Sequence, residues 1–252
     1  MLKKIGRAVV SLFPVSSRKF YHRLNSYLYK GVNYYCPVCE KNYKRFLPGP
    51  DNIKSNSKCP GCSSLERQRL LWLYLTKELN ILTSKIKLLN IAPDYAIQTK
   101  LKRLENINYV SIDLQSPLAM HKEDLTNLSF DKNAFDAILC YHVLEHIEDD
   151  RKAMRELFRV LKPGGWAILQ SPIDINRETT FEDSSITEPI ERKKIFGQGD
   201  HVRIYGRDYF TRLREAGFIV KEDQFIRKIL PSEIERMVLD KDELICFCAK
   251  PA

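Results

Sequence analysis

Short apolar runs alternate with amphipathic stretches in the second half of the chain. Residues 135–141 (FDAILCY) are almost all apolar, as expected of a parallel strand that is covered on both faces. Behind Asp149 or Asp150, either of which can cap a helix, apolar residues recur at three- and four-residue spacing from Met154 to Leu161. A Pro-Gly-Gly turn then ends the predicted helix, and an extended pattern resumes at Trp166. This order predicts a right-handed crossover in a doubly wound α/β sheet.

Further apolar runs of strand length predict additional strands of the same sheet. They lie at residues 87–92, 109–113, 218–225 and 244–249. In open α/β sheets, ligands bind beyond the carboxyl ends of the strands. The loop at residues 142–146, which follows the run 135–141, is therefore predicted to lie at a ligand site.

Charge is distributed unevenly along the chain. The whole protein carries a formal net charge of +9, but residues 1–80 hold 15 Lys and Arg against 4 Asp and Glu, whereas residues 81–252 hold 26 against 28. A basic amino-terminal part is typical of proteins with an anionic partner, such as nucleic acid, a lipid surface or a phosphorylated carrier. Simple solubility is the alternative explanation.

Residues 1–34 form a basic arm with an amphipathic pattern. Leu2, Ile5, Val9, Leu12 and Phe13 share one helical face, as in a helix that lies on an anionic membrane. A helix packed on the globular body is equally compatible with this pattern. No apolar run approaches the ~20 residues that a transmembrane helix needs, and the start lacks the features of a secretory signal. We therefore expect a cytoplasmic protein, peripheral at the inner membrane face if the arm meets lipid.

Two CxxC motifs follow the arm, with nineteen residues between them. Four thiolates at this spacing can surround zinc tetrahedrally, which predicts a structural zinc ribbon over residues 35–64. Redox motifs or unliganded buried thiols are the alternatives. The predicted zinc ligands are Cys36, Cys39, Cys59 and Cys62.

A linker helix is predicted over residues 65–84. Ser63 and Glu66 have the spacing of a capping box that opens this helix. Arg67 and Arg69 could reach a phosphate, although solvated helix positions are the simpler interpretation.

The residues of the second half carry a resemblance to a known family. The loop HVLEHI at 142–147, the turn LKPGG at 161–165 and an aspartate that ends the run 109–113 occur in the order typical of class I S-adenosylmethionine-dependent methyltransferases of the type 11 kind. The resemblance implies a seven-stranded Rossmann-like sheet over residues 85–252 and S-adenosylmethionine as cofactor. Between the fifth strand and Gly206, residues 172–205 form a charged insertion, which predicts a lid or substrate site.

The resemblance also implies which residues hold the cofactor. Asp113, at the end of the second strand, would accept hydrogen bonds from the ribose hydroxyls, and Asp124 would accept one from the adenine amino group. The first strand ends in Ala-Pro-Asp where the family has a glycine-rich loop, and Asp94 could either cap the next helix or meet the cofactor's ammonium group. The complete predicted set is Ala92, Pro93, Asp94, Asp113, Leu114, Asp124, Leu125, Tyr141 and His142.

Catalytic and substrate residues are predicted mainly on the insertion. A hydroxyl or amine acceptor often needs a base, and His201 is the histidine of this insertion. We therefore expect His201 to be the base, oriented by Asp200 or a neighbouring carboxylate, although a structural lid histidine is an alternative. His142 could face the methyl donor or merely fill its loop. Contacts to the acceptor are predicted for Arg203, Tyr205 and Glu182.

These features together predict a methyltransferase whose acceptor is a hydroxyl of a sugar or glycan intermediate or of another small molecule. The alternative is a zinc-ribbon methyltransferase of ribosomal RNA bases, in which the ribbon residues Tyr34, Tyr35, Tyr43 and Phe46 would stack on bases, although they could equally form the core of the ribbon. A third hypothesis is a non-catalytic scaffold that binds cofactor, since the glycine-rich loop is missing.

Overall fold

The computed structural model describes residues 15–49 and 54–252. The amphipathic helix predicted near Leu2–Phe13 lies outside these residues. Two compact units make up the chain. Of the described residues, the first contains 15–49, 54–83, 94–103 and 224–244, and the second contains 84–93, 104–223 and 245–252. The boundary predicted between residues 84 and 85 differs from this division, because residues 94–103 and 224–244 group with the first unit.

A seven-stranded mixed sheet forms the centre of the second unit, in the order β10-β11-β7-β6-β3-β4-β5. Strands β3 to β7 run parallel, and β11 is antiparallel to both of its neighbours, β7 and β10. The strand order reverses between β3 and β6, which is where such sheets bind ligands. The strand bounds are β3 Ile86–Ile91, β4 Ile107–Asp113, β5 His121–Lys122, β6 Phe135–Tyr141, β7 Leu161–Gln170, β10 Ile219–Asp223 and β11 Ile245–Ala249.

The predicted strand–helix–strand segment is confirmed. Helix α4 (Asp150–Val160) is capped by Asp149, whose Oδ1 atom accepts a hydrogen bond of 2.9 Å from the amide of Lys152. Its apolar face, which includes Met154 and Leu157, is fully buried. The sequence predicts a Pro-Gly-Gly turn between the helix and the next strand. In the structure β7 already begins at Leu161, so the Pro-Gly-Gly residues are part of the strand, and its pairing with β6 is irregular there.

The insertion after β7 is ordered into regular elements. It contains β8 (Phe181–Glu182), α5 (Pro189–Phe196) and β9 (Arg203–Ile204), and β8 pairs with β9 in antiparallel fashion. Helix α6 (Asp208–Glu215) follows and leads into β10. We call residues 172–205, the range of the insertion predicted from the sequence, the lid segment.

Within residues 15–49 and 54–252, the first unit combines the cysteine-containing ribbon with four α-helices. The helices are α1 Val15–Leu28, α2 Glu66–Lys77, α3 Tyr95–Leu101 and α7 Pro231–Met237, and the ribbon strands are β1 Lys30–Cys36 and β2 Lys41–Tyr43. The predicted Ser63–Glu66 capping box is wrong. The amide of Leu65 donates to the side chain of Gln68 at 2.7 Å instead, and Glu66 accepts a bond from Ser57. Within residues 15–49 and 54–252, no helix is long and apolar enough to cross a membrane.

Candidate functional site

Asp113 is the last residue of strand β4, and among the described residues only one of its two carboxylate oxygens accepts hydrogen bonds. Its Oδ1 atom accepts hydrogen bonds from the amides of Gln115 and Ser116 at 2.7 and 2.6 Å. These two bonds fix the orientation of the side chain. Oδ2 has no hydrogen-bond partner among the described residues, so it can accept bonds from a ligand at the carboxyl edge of the sheet.

The turn after β3 compensates for its missing glycine. Ala92 has a φ angle of 47°, which is the left-handed conformation that glycine normally supplies. A single methyl side chain keeps this turn open enough for a ligand to approach the backbone. Pro93 is buried, and Asp94 caps helix α3 because its Oδ1 atom accepts a bond of 2.9 Å from the amide of Ile97. Of the two roles expected for Asp94, the structure contains the capping role.

The remaining predicted cofactor residues lie on loops at the same edge of the sheet. Asp124 forms a local turn in which its Oδ1 atom accepts bonds from the amide and hydroxyl of Thr126, and these bonds hold its pKa below the ordinary value. Leu125 is buried, whereas Leu114 is exposed. Tyr141 is the last residue of β6 and is half-buried.

The loop after β6 presents His142 and Glu145 together. His142 has a φ angle of 57°, a conformation that is uncommon for a residue with a large side chain. Its Nδ1 atom lies 3.2 Å from Oε1 of Glu145, and the other carboxylate oxygen of Glu145 accepts a bond of 2.9 Å from the hydroxyl of Ser171. Glu145 is only 2% exposed, so these bonds fix a buried carboxylate beneath the ligand edge of the sheet.

The lid segment brings His201 against this loop. The imidazole rings of His146 and His201 meet edge to face, with their centroids 4.7 Å apart. The amide of Val202 donates to the carbonyl of Glu145 at 3.0 Å. Burial and the neighbouring His146 lower the pKa of His201. Asp200, expected to orient His201, has its nearest contacts with His146 instead, since its carbonyl lies 3.0 Å from Nδ1 of that ring.

A buried ion-pair network joins the lid segment to helices α4 and α6. Asp150 accepts hydrogen bonds from the hydroxyl of Tyr205 at 2.8 Å and from the guanidinium of Arg212 at 3.0 Å. Glu182 bridges Arg203 and Arg212 at 2.8 and 3.0 Å. Although burial opposes the charged form of Glu182, the hydrogen bonds from the two arginines lower its pKa. Asp208 also lies 3.4 Å from Nε of Arg212, so the network contains three carboxylates and two guanidinium groups.

This network changes the interpretation of two predicted substrate residues. Tyr205 is completely buried, and Arg203 is 3% exposed. The Arg203 guanidinium donates to three backbone carbonyls of the loop after β6, those of Leu144, Ile147 and Glu148. Neither side chain is accessible to an acceptor in this conformation, because each is used to fasten the lid segment to that loop. Glu182 is still 42% exposed at its side chain.

The four cysteines predicted to bind zinc converge in the first unit. Their sulfur atoms all lie within 4.8 Å of one another. The Sγ atoms of Cys36 and Cys62 are 3.6 Å apart, and those of Cys39 and Cys59 are 3.7 Å apart. Four sulfurs bound to zinc at about 2.3 Å in a tetrahedron lie about 3.8 Å from one another. The donor set and its spacing therefore fit a zinc ion.

Neighbouring hydroxyl groups support this cluster. The hydroxyl of Ser64 lies 3.3 Å from Sγ of Cys36 and 3.2 Å from Sγ of Cys62, and the hydroxyl of Tyr43 lies 3.4 Å from Sγ of Cys39. Such contacts orient ligand sulfurs around a metal. Tyr43 and Phe46 are 0% and 1% exposed, so they form the ribbon core and are not available for stacking on bases.

The class of protein follows from the second unit. Its seven-stranded mixed sheet, in which β11 is antiparallel to both of its neighbours, is the Rossmann-like fold of class I methyltransferases. Residues 81–169 match the model of the family described as methyltransferase domain. The resemblance inferred from the loop and turn motifs is thereby confirmed.

Curated relatives are similar to part of this chain, and a solved structure has the same fold. The chain is 28% identical over 146 residues to phosphoethanolamine N-methyltransferase 1 of Arabidopsis thaliana. The aligned segment covers 56% of this chain and 28% of that protein. The chain is 39% identical over 56 residues to demethylmenaquinone methyltransferase of Bacteroides fragilis, covering 22% of this chain and 23% of that protein. The match thus spans about a quarter of the length of each relative. The crystal structure of the cyclase SpnF superposes with a TM-score of 0.51 at 18% identity, over 73% of this chain and 81% of that one, and shows the same fold.

Several residues of this arrangement were not found from the sequence. Asp150 is predicted only as a possible helix cap, and Glu145, His146 and Arg212 are not among the predicted site residues. Arg69, predicted to be solvated or to meet a phosphate, is completely buried.

Proposed function

We propose that this chain is a methyltransferase that uses S-adenosylmethionine. The observation that carries the proposal is Asp113, a carboxylate at the end of the second parallel strand with one oxygen free of hydrogen bonds among the described residues. A ribose with two neighbouring hydroxyls is the ligand that such a carboxylate recognises in this kind of sheet. The match of residues 81–169 to the methyltransferase domain family supports the same function.

The cofactor would lie along the carboxyl edge formed by β3, β4 and β6. Ala92, in its glycine-like conformation, allows the backbone to approach the methionine part of the ligand. Asp124 and Leu125 would contact the adenine, and Leu114 would cover the ribose. Tyr141 and His142, at the end of β6, would face the sulfonium. In the transfer itself the methyl group passes by in-line displacement, so these residues mainly align the reactants and exclude water.

For the acceptor we propose a hydroxyl group, carried by a sugar or glycan intermediate or by another small molecule. The support is the pair of imidazoles, His142 and His201, near the end of β6, because neutral imidazole can take the proton of a hydroxyl. The relatives bear names for two unlike acceptors, phosphoethanolamine and a quinone, so they favour no particular class for this chain. Glu182, exposed at the lid segment, remains the candidate for acceptor contact.

Two further roles are proposed for the first unit. The four clustered cysteines would hold a structural zinc ion, because no coordination position remains open for a substrate. The surface of α1 and β1 would contact an anionic membrane, since the apolar side chains of Phe20, Tyr27, Leu28 and Val32 are exposed there in a basic part of the chain. Flotation with anionic liposomes, for the full chain and for a version that lacks residues 1–30, tests this contact.

RNA is the second candidate acceptor, and the basic charge of residues 1–80 is the observation in its favour. Binding to ribosomal RNA that weakens steeply with salt would support it. Binding that is absent, or insensitive to salt, would leave the hydroxyl acceptor.

Titration calorimetry with S-adenosylhomocysteine tests the cofactor site. We expect binding to the wild type and binding weaker by about 10- to 100-fold in Asp113→Asn, because a charge-assisted hydrogen bond contributes about 1.5–3 kcal/mol. Asp183→Asn is the matched control, since Asp183 forms a similar local turn with Ser185 on the lid segment. The absence of heat with the wild type would support the scaffold hypothesis, and equal affinities for wild type and Asp113→Asn would contradict the assignment of Asp113.

A further inference from the structure

We infer that Glu145, His146 and His201 form a binding site for a divalent transition-metal ion, separate from the cysteine cluster. One ligand atom from each of the three residues lies within 4.8 Å of the others. Two imidazoles and one carboxylate are a set that binds zinc, iron, manganese or cobalt, with coordination positions left for other ligands. The residues come from two parts of the chain, the loop after β6 and the lid segment, so the site exists only in the folded second unit.

The buried carboxylate of Glu145 is the first argument. It is 2% exposed, and no Lys or Arg forms an ion pair with it among the described residues. Its partners are the imidazole of His142 and the hydroxyl of Ser171. A buried carboxylate is costly unless its charge is balanced. A divalent cation at the junction with His146 and His201 would supply that balance.

The orientation of the two imidazoles is the second argument. Nδ1 of His146 lies 3.0 Å from the carbonyl oxygen of Asp200. A carbonyl only accepts, so Nδ1 carries the proton and Nε2 keeps its lone pair for a metal. A ligand histidine typically uses its second nitrogen to bond a backbone carbonyl, which fixes the ring. The ring of His201 meets the ring of His146 edge to face, with the two centroids 4.7 Å apart.

The third argument is a nitrogen atom of His142, beside Glu145, that has no hydrogen-bond partner among the described residues. Nε2 of His142 is buried and has no hydrogen-bond partner within residues 15–49 and 54–252. Buried polar atoms are nearly always paired, so an orphan of this kind indicates a ligand or an ordered water at the site. His142 bonds Glu145 through its other nitrogen, so the orphan atom and the three candidate metal ligands belong to one group of side chains.

The consequence for catalysis rests on the proposed methyltransferase function. The coordination positions not used by the protein would take an oxygen of the acceptor, which favours a hydroxyl-bearing substrate. The hydroxyl proton would pass to Nε2 of His142. A bond would then form between the acceptor oxygen and the methyl carbon as the carbon–sulfur bond breaks, with its electron pair going to sulfur and leaving a neutral thioether. His201 would thereby act as a ligand of the metal and not as the base.

Cobalt(II) titration of the full chain, with its cysteine cluster first loaded with zinc, tests this site. Wild-type protein should bind about one equivalent and develop visible absorption bands without the near-ultraviolet bands of cobalt–thiolate bonds. Glu145→Gln, His146→Ala and His201→Ala should each weaken cobalt binding by at least about tenfold. His121→Ala is the matched control, because His121 is an exposed histidine on β5 of the same unit.

Several results would overturn the inference. The first is that no visible absorption bands develop at millimolar cobalt. The second is that the bands that develop are those of cobalt–thiolate bonds. The third is that wild type and all three variants bind cobalt with equal affinity. His146 is 29% exposed at its side chain, so His146→Ala remains informative if the buried variants fail to fold. The test is independent of the cofactor. Cobalt binding without S-adenosylhomocysteine binding would retain the metal site and reject the methyltransferase function, and the reverse result would reject the metal site alone.

Discussion

The guanidinium of Arg69 donates a hydrogen bond of 2.7 Å from Nε to the carbonyl oxygen of Met237, 168 residues further along the chain. Its other nitrogens donate to three more backbone carbonyls, those of Ser57, Ser64 and Val238. Arg69 is completely buried and lies over the ring of Phe46. One side chain on α2 thus ties the cysteine ribbon to the end of α7, within the first unit.

Replacing this arginine should strongly destabilise the protein. In Arg69→Met, which keeps most of the side-chain volume, four backbone carbonyls lose the hydrogen bond from the guanidinium, and each buried group left unsatisfied costs about 1–3 kcal/mol. We expect a loss of at least about 3 kcal/mol in the free energy of unfolding, measured in urea. Lys77→Ala, at an exposed position of the same helix, should change stability by no more than about 0.5 kcal/mol. A similar small effect of both substitutions would show that these hydrogen bonds are not important for stability.

The cysteine cluster predicts a measurable zinc content. We expect Cys59→Ala to lose about one zinc ion per chain and to unfold the ribbon, because a site of this kind supplies folding energy. Metal analysis after gel filtration gives the content. Cys140→Ala, at a buried cysteine of strand β6, should keep the ion. Unchanged zinc in Cys59→Ala would mean that the cluster is not its binding site.

Glu182 should make stability depend on pH in the acid range. Its pKa is lower in the folded protein than in the unfolded chain, so its contribution is complete above the unfolded value of about 4.3 and is lost as the pH falls through the folded value. The stability difference between wild type and Glu182→Gln should therefore be largest near neutral pH and shrink below about pH 4. Thermal unfolding across this range measures it.

Glu188→Gln provides the matched control on the lid segment, because Glu188 is exposed and forms no ion pair among the described residues. Its difference from wild type should be small and constant with pH. If the Glu182→Gln difference were also constant, the network with Arg203 and Arg212 would not stabilise the ionised carboxylate.

Ala92 should be one of the few positions where glycine increases stability. In the left-handed conformation an L-residue with a side chain is strained by about 1–2 kcal/mol, and glycine is not. We expect Ala92→Gly to raise the free energy of unfolding by about 0.5–1 kcal/mol. Ala153→Gly, in the buried interior of α4, should lower it by about 1 kcal/mol. Destabilisation by both substitutions would show that the turn after β3 does not need this conformation.

Local pattern predicted most strands of the sheet in the second unit. The strand at residues 135–141 has its predicted bounds, and the helix begins behind Asp149 as predicted, because burial on both faces and a capping aspartate are short-range signals. The helix ends one residue before Leu161, which was predicted as its last apolar position and instead begins β7. The cysteine cluster was also predictable, since ligand spacing in the two motifs reflects tetrahedral geometry. The Ser63–Glu66 box failed because nearby residues made the competing hydrogen bonds: Gln68 accepts from the amide of Leu65, three residues earlier, and Ser57 donates to Glu66 from nine residues earlier.

The amino-acid sequence by itself determined the class of fold, the cysteine site and the position of Asp113 at the end of the second parallel strand. Only the tertiary structure decided what the charged side chains do. Arg203 and Arg69 could each have met a ligand, and both instead satisfy buried carbonyls. His201 meets Glu145 and His146 because the lid segment returns across more than fifty residues of chain. Such encounters depend on which segments pack together, and spacing along the chain carries no information about them.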